Sequence, residues 1–259
     1  MRPSITAMSS KKSRGPIRLW AVLVWLIVWQ LGAMAIDQEI ILVSPFSVLA
    51  RLAELLPTRD FWQTIAYSLL RITLGFFCGV VAGTVFAALS SRFQRIEELL
   101  APLLLAIKSI PVASFIILTL ILFSSRNLAV PISFLIVLPI VYSNVLSGIR
   151  AADRDLLEMA QVFRVPALRR LRYVYLPLVM PYFQSACGSA LGLSWKSGIA
   201  AEVIGMPDGS IGEQLQQAKL YLDTPDLFCW TLVIVLVSLA FEKIFLALLG
   251  WTQRALERM

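Results

Sequence analysis

The chain has 259 residues, 58% of them hydrophobic, and a formal net charge of +7; its mean hydropathy of +0.79 excludes an ordinary soluble domain and marks a polytopic membrane protein. Its basic residues stand in short clusters beside apolar runs, which is the pattern of membrane topology and argues against a nucleic-acid partner.

In chain order, residues 1–18 form a polar, basic tail with Arg2, Lys11, Lys12, Arg14 and Arg18. The apolar run Leu19 to Ile36 follows. Ala33-Met34-Ala35 resembles a signal-peptide cleavage site, but the run is long for a leader and carries three tryptophans, so it reads as an uncleaved first transmembrane helix. The basic tail then places the N-terminus in the cytoplasm. Asp37 to Asp60 reads as an outside segment, with a short amphipathic piece at Pro45 to Leu56.

A second span runs from about Phe61 to Ser90. Gly75, Gly79 and Gly83 recur at four-residue spacing, a stripe of small residues that lets another helix come close. A turn with Arg92 and Arg95 leads to a third span, about Leu99 to Phe123, where Pro102 and Ile110-Pro111 predict kinks. Ser124 to Asn127 is a short outside turn. The fourth span is about Leu128 to Ile149, the fifth about Pro177 to Ile204, and the sixth Leu227 to Gly250. The last two are separated by an outside loop from Gly205 to Asp226 that contains the turn Met206-Pro207-Asp208-Gly209. Residues 251–259 form a second cytoplasmic tail. The expectation is an all-α chain of six spans, each long enough for a bilayer core that needs ~20 residues.

Between the fourth and fifth spans lies the one long polar interruption, the run DLLEMAQVFRVPALRRLRYVYLP from Asp155 to Pro177, with the loop itself taken over 150–174. Apolar residues recur there at helical spacing, with Arg164, Arg169, Arg170 and Arg172 opposite. Val165-Pro166 interrupts the pattern, so two short helices joined by a bend are predicted. The proposed cytoplasmic segments hold 15 Lys and Arg and the outside segments four, which puts this loop in the cytoplasm.

Glu158, Met159, Ala160, three residues, Arg164, nine residues, Val174, Tyr175, Leu176 and Pro177 resemble the EAA loop of ABC importer permeases. Two positions depart from the family pattern: Met159 stands where a second Ala is usual and Arg164 where a Gly is usual. Further resemblances lie in Tyr67-Ser68-Leu69-Leu70-Arg71, similar to the family's Ser-Leu-x-Arg, and in Trp195 followed by Ala200-Ala201-Glu202, similar to the aliphatic sulfonate, taurine and nitrate branch. Leu122-Phe123-Ser124 stands where the family usually has Trp-Phe-Gly. The likeness covers about Ser44 to Leu249.

The resemblance implies a type I ABC importer permease-like subunit in the bacterial plasma membrane, multi-pass, with both termini cytoplasmic. It implies a second permease copy, a pair of ATPase subunits and an extracytoplasmic solute-binding protein as partners, within membrane lipid. It also implies a coupling helix that docks on the ATPase through Glu158, Met159, Ala160, Val162, Phe163, Arg164, Val165, Pro166 and Leu168. A basic amphipathic helix lying on lipid headgroups is the other reading of that stretch by itself.

Arg71, Lys108, Lys196 and Lys243 fall inside the spans against two acids, Glu202 and Glu242. Each intramembrane charge costs at least ~2.5 kcal/mol at a helix centre and needs a partner, a wet cavity or an interface. Lys243 beside Glu242 reads as structural, and Lys108 as able to snorkel. Gly188, Gly192 and Lys196 share one helical stripe, which sets the ammonium against a close neighbour or a central pathway. Arg71, Trp195, Lys196 and Glu202 are the pathway candidates, with a small anion as the solute; pairing of Lys196 with a carboxylate is the alternative.

No histidine is present, which excludes Ser-His-Asp and Cys-His sites and removes the commonest metal ligand. Cys78, Cys187 and Cys229 sit in apolar runs without metal-ligand spacing, so neither a metal nor a disulfide framework is expected. There is no phosphate-binding G-x-x-x-x-G-K-[ST] loop. No catalytic residue and no cofactor are therefore expected, and ATP belongs to the partner subunit. A secondary transporter or channel without ATPase coupling is the competing function, but it would need no docking helix and would often show an internal repeat.

Overall fold

The computed structural model describes residues 19–36, 38 and 40–257, so the basic N-terminal tail and Arg258 lie outside the described residues. Among these residues the secondary structure is helical, without a strand. The apolar run after the tail forms α1 (Leu19–Ile36). Ser44 caps the next helix by accepting the Ser47 amide at 3.1 Å, and Pro45 occupies its first turn, where no amide donor is needed. That helix is α2 (Pro45–Leu55).

The core of the bundle is α3 (Arg59–Arg92) packed on α6 (Ala129–Arg150), with α9 (Leu176–Gly205) packed on α6 and also touching α3. At 34 residues α3 is ~50 Å long, enough to cross a ~30 Å hydrocarbon core and protrude from it. Gly75, Gly79 and Gly83 all face α6: a Cβ on Gly79 would sit 2.7 Å from Val137 Cβ, and one on Gly83 2.9 Å from the Leu138 carbonyl oxygen. Only a stripe without side chains allows so close a crossing. Gly198 of α9 is equally tight, with Ile72 Cγ1 2.6 Å from where its Cβ would lie. The final helix, α11 (Thr224–Glu257), packs on α9 and sends Phe241 and Phe245 into an aromatic cluster. Phe76 lies edge-on to Phe245 at 5.2 Å, and Trp195 lies 6.2 Å from Phe241.

The expected third span is divided. Its residues form α4 (Gln94–Ser109) and α5 (Val112–Leu122), two helices meeting at 108°. Ile110 is extended (φ −79, ψ 131) because the ring of Pro111 disfavours helix at the preceding residue, and Pro111 has no amide to continue the ladder. Pro102 stays inside α4 without ending it. At 11 residues α5 is ~16 Å long and cannot cross a bilayer alone.

Three described helices, α3, α6 and the Thr224–Gln253 part of α11, are individually long and apolar enough to cross a membrane, and the bent pair would make a fourth. The expected count of six also needs α1, which is apolar but short, and α9, which has 30 residues and is less apolar. The helix of the expected sixth span, α11, also runs on into the expected C-terminal tail, to Glu257.

Candidate functional site

Two regions at opposite ends of α9 gather the residues singled out by the sequence. At its N-terminal end, the polar loop forms α7 (Arg154–Val162), a bend, and α8 (Ala167–Arg170). The α7 surface carries apolar side chains outward: Val162 is 78% and Phe163 74% exposed, with Leu156 and Met159 on the same stripe, and Leu168 of α8 is 77% exposed. Ala160 is the exception among the expected docking residues. It is only 4% exposed, because this side of α7 packs inward, so it supports the helix from beneath and does not belong to the outer surface.

The end of α7 shows how this sequence turns without the usual glycine. Val165 N–H donates to the Ala160 carbonyl at 2.9 Å and Arg164 N–H to the Gln161 carbonyl at 3.0 Å, the paired bonds of a Schellman cap. That cap requires a left-handed residue, and Arg164 supplies it at φ 52, with a steric cost of ~1–2 kcal/mol that glycine would not incur. Pro166 starts α8. Residues Leu171–Tyr175 then widen into a π-helical segment, with Leu176 N–H donating to the Leu171 carbonyl five residues back. A wider turn just before Pro177 absorbs the missing amide, and the chain passes into α9 without a break. A cavity of ≈ 480 Å³ lies against this segment, between Thr84, Ala88 and Arg92 of α3, Val145 of α6, and Leu171 and Tyr175. Glu97 of α4 pairs with Arg150 at the end of α6.

At the other end of α9, Glu202 is completely buried. Its Oε2 accepts from Ser68 Oγ of α3 at 2.6 Å and from Gly212 N–H at 3.3 Å, while Ser68 Oγ accepts from Ile211 N–H at 3.0 Å. Ile211 and Gly212 open α10 (Ile211–Leu220), whose cap Ser210 accepts from Glu213 N–H at 3.0 Å. The amides left over at a helix start are thus taken up by side chains of two other helices. The two family-like motifs, Ser68 to Arg71 and Ala200 to Glu202, meet here. The stretch from Gly205 to Asp226, expected as a loop, thus contains a helix, for which Ser210-x-x-Glu213 is the capping-box signal; nothing in the sequence paired Ser68 with Glu202.

The four pathway candidates are not gathered in one place. Arg71 is half-buried at the edge of the bundle, donating to the Arg126 carbonyl at 2.7 Å and to Asn127 Oδ1 at 3.3 Å, with its guanidinium 3.6 Å over the Tyr67 ring; it pins the short turn Ser125–Asn127. Trp195 and Glu202 are interior. Lys196 alone is exposed, and it forms no ion pair among the described residues. No atom beyond its own stretch of helix lies within 4 Å of a Cβ built on Gly192, and Gly188 meets only Leu246 of α11 at 4.0 Å. The stripe is therefore loosely packed: Gly188 borders α11, Gly192 has open space beside it, and Lys196 is exposed. Among the described residues no group of His, Cys, Asp and Glu could hold a metal ion.

Comparison with known proteins supplies the identity. The chain is 27% identical over 249 residues to the bicarbonate transport system permease protein CmpB of Synechococcus elongatus, covering 91% of this chain and 87% of that one. It is 24% identical over 216 residues to an aliphatic sulfonates transport permease protein, SsuC, of Bacillus subtilis, covering 82% and 77%. In fold it resembles a solved amino acid ABC transporter with histidines at a TM-score of 0.58 and 19% identity, over 80% of this chain and 96% of that one. Residues 75–258 match the model of the binding-protein-dependent transport system inner membrane component family, and the chain, a multi-pass inner-membrane protein, belongs to that family of ABC importer permeases.

Proposed function

We propose that this permease carries a small anion, a sulfonate, taurine, nitrate or bicarbonate, delivered by an extracytoplasmic binding protein, through a pathway formed with a second copy of the chain. Its coupling loop docks on a pair of ATPase subunits. The observation that carries the reading is the exposed apolar stripe of α7 and α8, Met159, Val162, Phe163 and Leu168, on a polar loop with five arginines between Arg154 and Arg172. An apolar patch of this kind outside the bilayer marks a protein interface. The loop's charge supports its cytoplasmic side. The six spans, cytoplasmic termini and ATP hydrolysis by the partner belong to this same reading.

Closure of the ATPase pair on ATP pulls the docked loops together, and the π-helical segment passes that movement into α9. The bundles then open outward to take the solute and return after hydrolysis. The test is Phe163→Asp together with Leu168→Asp. Both side chains project from the surface, so the variant should reach the membrane in normal amount and lose co-purification with the ATPase subunit. Normal co-purification would refute the docking surface. Ala160 is unsuited to the test because a bulky group there would unseat α7 itself.

A further inference from the structure

We propose that the Glu202 carboxylate is a positioning residue that ties α10 to the transport helices, so that the coupling loop and the outer segment move as two ends of one rod. The inference rests on the importer reading above. The 30 residues of α9 make a helix of ~45 Å, joined at one end to the coupling loop through the π-helical segment. Glu202 sits at its other end, one turn before the left-handed Met206 that stops the helix. From there a single carboxylate oxygen holds both Ser68 of α3 and the Gly212 amide that opens α10, and Ser68 Oγ holds the Ile211 amide beside it. A carboxylate at a helix N-terminus gains from the helix dipole as well as the hydrogen bonds.

The contact is backbone to backbone. A Cβ on Gly212 would collide with Cβ and the backbone carbon of Glu202 and with Val203 N, so α10 has no flexible side chain between itself and α9 and must follow it. The second carboxylate oxygen, Oε1, is buried without a hydrogen-bond partner among the described residues. The far end of α10 presents Leu220, Tyr221 and Leu222 outward, an apolar tip suited to the delivery protein and placed where movement of α9 would reach it.

The experiment uses the complex purified with its own ATPase, carrying Tyr221→Cys in a Cys78→Ala background, since Cys187 and Cys229 are buried. The probe is the rate of maleimide labelling without nucleotide and after trapping with ATP and vanadate. In this background trapping should change the labelling rate by about threefold or more, the size a modest population shift produces. Adding Glu202→Ala or Gly212→Ala should abolish the change while vanadate trapping and basal hydrolysis persist. Glu202→Gln, which keeps an acceptor oxygen of the same shape, should retain most of it. Ser68→Ala combined with Glu202→Ala should be no worse than either alone, as expected of residues that act together. A full change in Glu202→Ala, or no change in the parent despite normal trapping, would overturn the rod while leaving the importer reading intact. So would loss of trapping in Glu202→Ala and Glu202→Gln alike, since Glu202 would then hold only the fold. Absence of any co-purified, vanadate-sensitive ATPase would overturn the importer reading itself, and the rod with it.

Discussion

Arg164 illustrates how a single residue sets the shape of the polar loop. The cap that ends α7 needs a left-handed residue, and arginine takes that conformation at φ 52 against a steric cost of ~1–2 kcal/mol. Glycine would remove the strain but lose ~0.5–1 kcal/mol more chain entropy on folding, so the strain term wins. Arg164→Gly should stabilise the turn by up to ~1 kcal/mol. The measurement is hydrogen exchange at the Val165 amide, which donates to Ala160: slower exchange in Arg164→Gly than in Arg164→Ala supports this account, and equal rates refute it. Elsewhere, Arg51 of α2 reaches Asp226 of α11 at 2.9 Å and Glu54 at 3.0 Å; hydrogen bonds to these two carboxylates hold its pKa above the ordinary value. With Arg51 about a third exposed, the pair is worth at most ~1 kcal/mol, and it serves to locate α2 more than to stabilise the fold.

Among the elements, the α3–α6 seam decides whether the bundle assembles. Gly79 meets Val137 and the Phe134 carbonyl so closely that even a methyl has no room. Gly79→Leu must drive the helices apart, and overpacking of this kind costs ~1–3 kcal/mol or more. Because α6 also carries α9, the expected outcome is a lower thermal midpoint in detergent and loss of transport. Unchanged stability and transport would show that the crossing is not as close as described. Gly192→Leu is the matching control on the loosely packed stripe. It has open space within this chain, so its monomer stability should be unchanged, while the proposed pairing of two copies should weaken.

At the scale of the whole molecule, the excess of basic residues in the expected spans bears on the solute. Glu202 is engaged with Ser68 and α10, so it does not neutralise Lys196, and Lys196 is exposed, one turn beyond Gly192, beside which this chain leaves open space. A lysine there needs either a partner from the second copy or a wet pathway between the copies. We expect the pathway, where a cation attracts an anion without holding it tightly enough to slow release. With the binding protein held constant, Lys196→Gln should reduce transport of the anion severalfold, and Lys196→Arg should retain most of it. Wild-type rates in both would make Lys196 structural and remove the charge argument for an anionic solute.

What depends on local pattern and on the solvent was legible from the residues: a membrane chain, helices where long apolar runs stand, a bend at Val165-Pro166, a kink at Pro111, and membership of the permease family through the Glu158 to Pro177 spacing. These follow because proline, glycine, capping residues and hydropathy act over a few residues, whatever the rest of the chain does. Tertiary structure alone decided which faces meet. Gly75 and Gly192 read alike as small residues on a stripe, yet one is packed against α6 and the other lies open. Arg71 and Glu202 both read as charges in a span, yet one pins a surface turn and the other is sealed beneath α10. Burial of Ala160 and the meeting of Ser68 with Glu202, 134 residues apart in the chain, depend on how whole helices cross. A crossing is chosen by the summed packing of both surfaces, which no single segment encodes.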